Sequence, residues 1–214
     1  MVRNVYRRIT AKLIFVGVAA SLSCLLGFTD VLAENSPLEV IRSTTNRALE
    51  VLKGSAGHEK AQRQQELEQM WEVVLPKFDT EEIARRSLGT NWRELTEEQQ
   101  KEFTRLFIQL IKKNYSGTLA RYTTDAEFFF DNERIEDEQA EVQTRIKSPS
   151  QDQPFSVVYR LHRMGDSWLI YDVVAENVSL VQNYRNQFSR IIAKSSVEGL
   201  FDTLKKKLEE LSTT

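Results

Sequence analysis

The stretch WLIYDVVAENVSLVQNYRNQFSRII, from Trp168 to Ile192, constrains the fold more than any other part of the chain. It begins as a strand that is apolar on both faces. Strict alternation puts Trp168, Ile170 and Val174 on one side and Leu169, Tyr171 and Val173 on the other. Such a strand must be covered on both faces or must line an internal space. Within a few residues the pattern changes to a helical one, with Leu180, Val181, Tyr184, Phe188, Ile191 and Ile192 on one broad side.

The N-terminus reads as an address. Arg3, Arg7, Arg8 and Lys12 precede an apolar run from Leu13 to Phe28, and Val31-Leu32-Ala33 offers a cleavage site. The expectation is a signal peptide over 1–33, cut after Ala33, and one exported domain over 34–214, with a Gram-negative periplasm as destination. The same residues could stay attached as an uncleaved anchor. A lipoprotein reading at Cys24 meets Ser21 where a Leu belongs.

Cys24 is the single cysteine, so the exported part has none and must be held by a core rather than by disulfides. Removing the leader leaves 25 basic and 30 acidic residues, a net charge near −5. That balance argues against nucleic acid as a partner and against a purely electrostatic grip on anionic membrane. With two histidines, no thiol outside the leader, no nucleophile motif and no metal-ligand cluster, neither a metal nor another cofactor is expected.

Three blocks follow the leader. From Pro37 to Tyr122 the pattern is helical: one helix around Val40, Ile41, Leu49 and Val51, another from about His58 to Leu75 stopped by Pro76. A short helix is capped by Asp79, with Glu82 at its third position, and ends near Gly89. A long one is capped by Thr96, with Gln99 three residues on. Its face runs through Phe103, Leu106, Phe107, Leu110 and Ile111. About four strands come next, near Ala126–Asp131, Glu133–Ser148, Phe155–Met164 and Ser167–Ala175. Tight turns are expected at Asp131-Asn132 and Gly165-Asp166, and a longer loop over Ser148–Pro154. Helices from Leu180 to Leu211 close the chain. This order predicts an α+β fold. Periodicity alone does not separate a packed sheet face from one that lines a cavity.

Two further runs join the opening one. The first holds Phe78-Asp79, Ala84-Arg85-Arg86-Ser87-Leu88-Gly89, Trp92, Leu95-Thr96, Gln99, Phe103, Phe107, Tyr115 and Ala120-Arg121-Tyr122. The second holds Val178-Ser179-Leu180, Asn183-Tyr184-Arg185, Gln187-Phe188 and Gly199-Leu200. In this order they resemble the MlaC family of periplasmic phospholipid carriers, also known as toluene-tolerance auxiliary proteins, over nearly all of the chain after the leader. One departure is Asn177, where the family pattern has Gly; Asn also tolerates left-handed backbone.

The resemblance implies a curved antiparallel sheet of the nuclear-transport-factor-2-like kind, wrapped by N- and C-terminal helices around an apolar cavity for acyl tails. It implies a monomeric, non-enzymatic shuttle carrying phospholipid between an outer-membrane lipoprotein–porin complex and an inner-membrane ABC transporter with an MCE-domain ring. The expected lining is Phe107, Leu110, Tyr115, Phe128, Phe130 and Val157, together with Tyr159, Trp168, Ile170, Val174, Tyr184 and Phe188. Each of these is equally accounted for as packed core. Arg85, Arg86, Arg121 and Arg185 are candidates for phosphate or partner contacts, or for plain ion pairing. Two other classes remain open. An isomerase or dehydratase would need an acid–base pair in an apolar pocket, for which Asp172 with Tyr159 or Tyr171 is the candidate. A protein-binding adaptor would have a solid core.

Overall fold

Helix starts in this chain are set by side-chain caps. The computed structural model describes residues 36–53, 58–122, 126–149 and 153–212, with the side chains of 119–122 excepted. The expected signal peptide lies outside these residues. Ser36 caps α1 (Pro37–Leu52) by accepting from the Glu39 amide at 3.2 Å, and Pro37 supplies the preset first turn. A second helix, α2 (Lys60–Val74), packs on α1 through Leu52, Met70 and Trp71 and gives way to a short 3-10 turn at Leu75–Lys77, where Pro76 sits.

Asp79 caps α3 (Thr80–Leu88), its Oδ1 accepting from the Glu82 amide at 2.9 Å, as its sequence position implies. Phe78 and Ile83 flank that cap in the positions of a hydrophobic staple. After a 3-10 segment, Gly89–Glu94, comes α4 (Glu97–Tyr122). Its capping box is complete. The Thr96 amide donates to Gln99 Oε1 at 2.9 Å and the Gln99 amide to Thr96 Oγ1 at 3.3 Å.

The sheet is antiparallel throughout and ordered as in sequence: β1 (Glu127–Glu136), β2 (Gln139–Lys147), β3 (Phe155–Met164), β4 (Ser167–Ala175) and the two-residue β5 (Val178–Ser179). It therefore has five strands rather than four. The turn expected at Asp131-Asn132 is absent. Asp131 is instead an extra, bulged residue inside β1, and its carboxylate is held by Arg145 across the strand pair at 2.6 and 2.8 Å. The reversal comes later, at Asp137-Glu138, with Asp137 at φ 52°. Glu176 and Asn177 both have positive φ, so Asn177 takes the left-handed turn conformation read from the sequence. The last element, α5 (Leu180–Ser212), breaks at Ser196 (φ 80°), whose hydroxyl donates to Glu198 at 2.7 Å and restarts the helix.

Two principal apolar cores result. One is helical, where Ile83 and Leu88 of α3 meet Phe103 and Phe107 of α4 and Phe188 and Leu200 of α5. The other lies on one face of the sheet, where Ile41 of α1 covers Ala140, Val142, Leu161, Trp168 and Ile170. Phe78 packs against both.

Gly89 is fixed by two constraints at once: φ is +62°, and a Cβ there would stand 2.7 Å from Arg185 Nη2. Gly89→Ala is expected to cost about 1–3 kcal/mol in denaturant unfolding. Adding Arg185→Ala should recover only the steric part, because the left-handed backbone remains.

Candidate functional site

Register decides which of the expected lining residues stand together. Phe128 pairs through Ile146 with Phe155, Phe130 through Thr144 with Val157, and Val142 faces Tyr159. Leu161 lies opposite Ile170. Phe128, Phe130, Val157, Tyr159, Trp168 and Ile170 thus share one sheet face, the one that α1 covers. Trp168 and Ile170 are closed off, whereas Phe128, Phe130 and Tyr159 keep part of their surface accessible. The Arg42 guanidinium of α1 lies 5.4 Å from the Phe130 ring centre.

Val174 is not on this face. The pairing steps from Leu161–Ile170 to Arg160–Asp172, which leaves Tyr171 as an extra residue in β4. From there the alternation is inverted. Val173 faces Tyr159 and packs with the sheet core, and Val174 pairs with Val158 on the opposite face. A bulge inserts one residue, and one residue is enough to exchange the faces.

Five expected lining residues belong to the helical core instead. Phe107 stacks edge-on to Tyr184 and Phe188 at 4.8 and 5.0 Å, and Phe103 completes the ring cluster at 5.6 Å from Phe107. Phe107 is 0 % and Phe188 2 % exposed, so these rings are committed to one another. Leu110 and Tyr115 pack on the same cluster. The Tyr184 hydroxyl accepts from Asn114 Nδ2 at 3.1 Å, and burial raises the pKa of both Tyr184 and Tyr115.

The arginines divide similarly. Arg85 grips Glu82 with two bonds of 2.6 Å, and Arg86 reaches the same carboxylate at 2.6 Å while covering the Tyr171 ring at 4.1 Å. The Arg85 bonds, ahead of those from Arg86, hold the Glu82 carboxyl below its ordinary range despite its desolvation. Arg185 rests on the Gly89 backbone. The Arg121 side chain lies outside the described residues.

Asp172 is 4 % exposed and fully engaged. Its Oδ2 accepts from Ser179 Oγ at 2.7 Å and Arg160 Nη1 at 3.3 Å, and its Oδ1 from the Val181 amide at 3.1 Å. It lies on the opposite sheet face from Tyr159, so the sheet does not bring those two side chains together. Among the described residues no group of three or more His, Cys, Asp or Glu could hold a metal ion, and no helix is long and apolar enough to cross a membrane.

Tyr159 combines two properties. It is partly accessible, yet protein surrounds it closely enough that desolvation pushes its phenol up to about 12, and its hydroxyl has no hydrogen-bond partner among the described residues. Sequence reasoning used Phe78 only in the family likeness and missed its place between the two cores, although an aromatic residue directly before a helix cap is a legible staple signal. It also missed an open concavity of about 1050 Å³ beside Phe78, between the end of α2 and the first half of α4. None of the twelve expected lining residues borders it.

A sheet with one apolar face under a helical layer defines a two-layer α+β fold. A solved structure with this fold is the phospholipid-binding protein from Ralstonia solanacearum in complex with a phospholipid, at 1.53 Å resolution. The two superpose with a TM-score of 0.71 at 23 % identity, over 81 % of this chain and 97 % of that one. The family model described as MlaC protein matches residues 42–206, and the chain belongs to that family. No individually curated protein matches it by sequence.

The Tyr159 phenol should leave a signature in stability. Its folded-state pKa is raised from 10.0 to about 12, so the folded state binds this proton more tightly. The stabilisation is whole below about pH 10 and is lost as pH rises toward about 12. Unfolding free energies measured across that window should fall more steeply for the native chain than for Tyr159→Phe.

Proposed function

We propose that this chain is a periplasmic phospholipid shuttle, with acyl tails held against the sheet face that carries Phe128, Phe130 and Tyr159. The observation that carries the reading is that register brings Phe128, Phe130 and Tyr159 onto one mainly apolar sheet face where each keeps part of its surface accessible. Membership in the MlaC family and the fold shared with a phospholipid-bound protein support it.

The physical requirement is strict. Tails are already dry in a bilayer, and each methylene left in water costs about 0.8 kcal/mol. A carrier gains little by burying tails and loses heavily by leaving them out. A wall of Phe and Val on a sheet, roofed by α1, meets that need, and the headgroup can remain in water. In this role the chain is made with a signal peptide cleaved after Ala33 and works as one domain over 34–214. It is the soluble component of an Mla-type ABC system that maintains outer-membrane lipid asymmetry. Its partners are then an outer-membrane lipoprotein–porin complex and an inner-membrane transporter bearing an MCE-domain ring.

Native mass spectrometry of the chain from Glu34, expressed in a periplasm, is expected to show stoichiometric diacyl phospholipid. Phe128→Glu or Tyr159→Glu should empty it while circular dichroism stays native, because both positions already touch solvent. A folded protein that takes up no lipid from vesicles would overturn the reading.

A further inference from the structure

The carrier reading leaves a question of access. Trp168 and Ile170 are 3 % and 2 % exposed, so the deep part of the sheet face has no opening of its own to solvent. The concavity of about 1050 Å³ stands beside it, and Phe78 belongs to both. Its backbone bridges to Ile170 of β4, the Asp79 amide donating to the Ile170 carbonyl at 2.9 Å, while its side chain borders the concavity.

Two observations say what this concavity suits. Its floor is apolar: Leu75, Pro76, Phe78, Trp92 and Ile108. Ile108 is a partly exposed isoleucine outside the three apolar clusters that borders the concavity. The rim is charged and mixed. Lys101 and Arg105 stand one helical turn apart on α4, and Glu72, Glu81 and Glu97 border the same space. None of these five forms an ion pair among the described residues. A cationic pair matches a phosphate, and carboxylates nearby match an ammonium group. An apolar floor under such a rim is complementary to a zwitterionic phospholipid.

We infer that this concavity is a loading vestibule for one zwitterionic phospholipid, and that Phe78 is the door between it and the sheet face. The inference rests on the carrier reading. A lipid leaving a bilayer passes through states with tails in water, at about 0.8 kcal/mol per methylene. A trough that is apolar, open and next to the final site shortens that exposure. Rotation of one ring, held on a short extended link between a 3-10 turn and a capped helix, then admits the tail.

The test is the rate of lipid uptake from phosphatidylethanolamine–phosphatidylcholine vesicles, read beside the amount bound at saturation. Phe78→Ala should load several-fold faster and Phe78→Trp slower, an opposition that a merely structural role does not produce. Ile108→Glu lies outside every core cluster and so should fold normally. It should slow uptake about tenfold with the saturating lipid content unchanged. Lipid bound by the native chain, with Ile108→Glu and both Phe78 variants loading at its rate, would overturn the vestibule and leave the carrier standing. No lipid bound by the native chain at any time would overturn both.

Discussion

Three helix N-termini in this protein are tied to the sheet by carboxylates, and the arrangement of everything else depends on those ties. Glu133 of β1 accepts from the Leu38 amide in the first turn of α1 at 2.7 Å. Asp172 of β4 accepts from the Val181 amide in the first turn of α5. Asp79 caps α3 and places its second oxygen 3.0 Å from Nε2 of His162 on β3. An amide-rich helix start with its partial positive charge suits an anion, and a carboxylate with every oxygen occupied can be buried at acceptable cost. Asp172 shows the principle most fully, since Ser179 and Arg160 complete its shell. Helices fixed in this way by their ends need not press their whole apolar face onto the sheet.

That freedom explains why the apolar interior is divided. The helices α4 and α5 close an aromatic cluster between them, with Ile83 and Leu88 of α3 packed on it, while the sheet keeps a separate core under α1. Toward Phe128, Phe130 and Tyr159 the cover thins and the side chains become accessible. A domain whose helices filled one common core with the sheet would have no such margin.

Much of this was legible in the sequence because it is local. The Asp79 cap, the Thr96–Gln99 box, the stop at Pro76 and the left-handed Asn177 each need only a few neighbouring residues. The α+β order and the family likeness were legible too. What alternation could not show were the two bulges. Asp131 looked like a turn residue because Asp-Asn is good turn chemistry, but Arg145, fourteen residues away, recruits its carboxylate and keeps it within a strand. Tyr171 read as one step of a regular alternation with Leu169 and Val173, yet its extra place in β4 carries Val173 onto the face with Tyr159 and Val174 onto the other. Both reversals come from cross-strand partners. The split of Phe107 and Phe188 from the sheet residues has the same origin: a helical stripe announces burial but not which layer it will meet.

The division of the interior also bears on how a binding protein can open without unfolding. Breaking the helical cluster would expose several interlocked aromatic rings at once, so that region belongs to the most stable part of the molecule. The roof over the sheet face is held differently. It rests on Ile41 and a few partly buried neighbours, on the end-on bond from Glu133 to Leu38, and on Phe78. Few contacts need to yield for α1 or the Phe78 ring to shift, while the carboxylate ties keep the helix starts in register. On this packing argument the roof and Phe78 would yield at lower cost than the interlocked rings. In the proposed carrier role, that separation lets one region set the stability of the fold and another the ease of exchange.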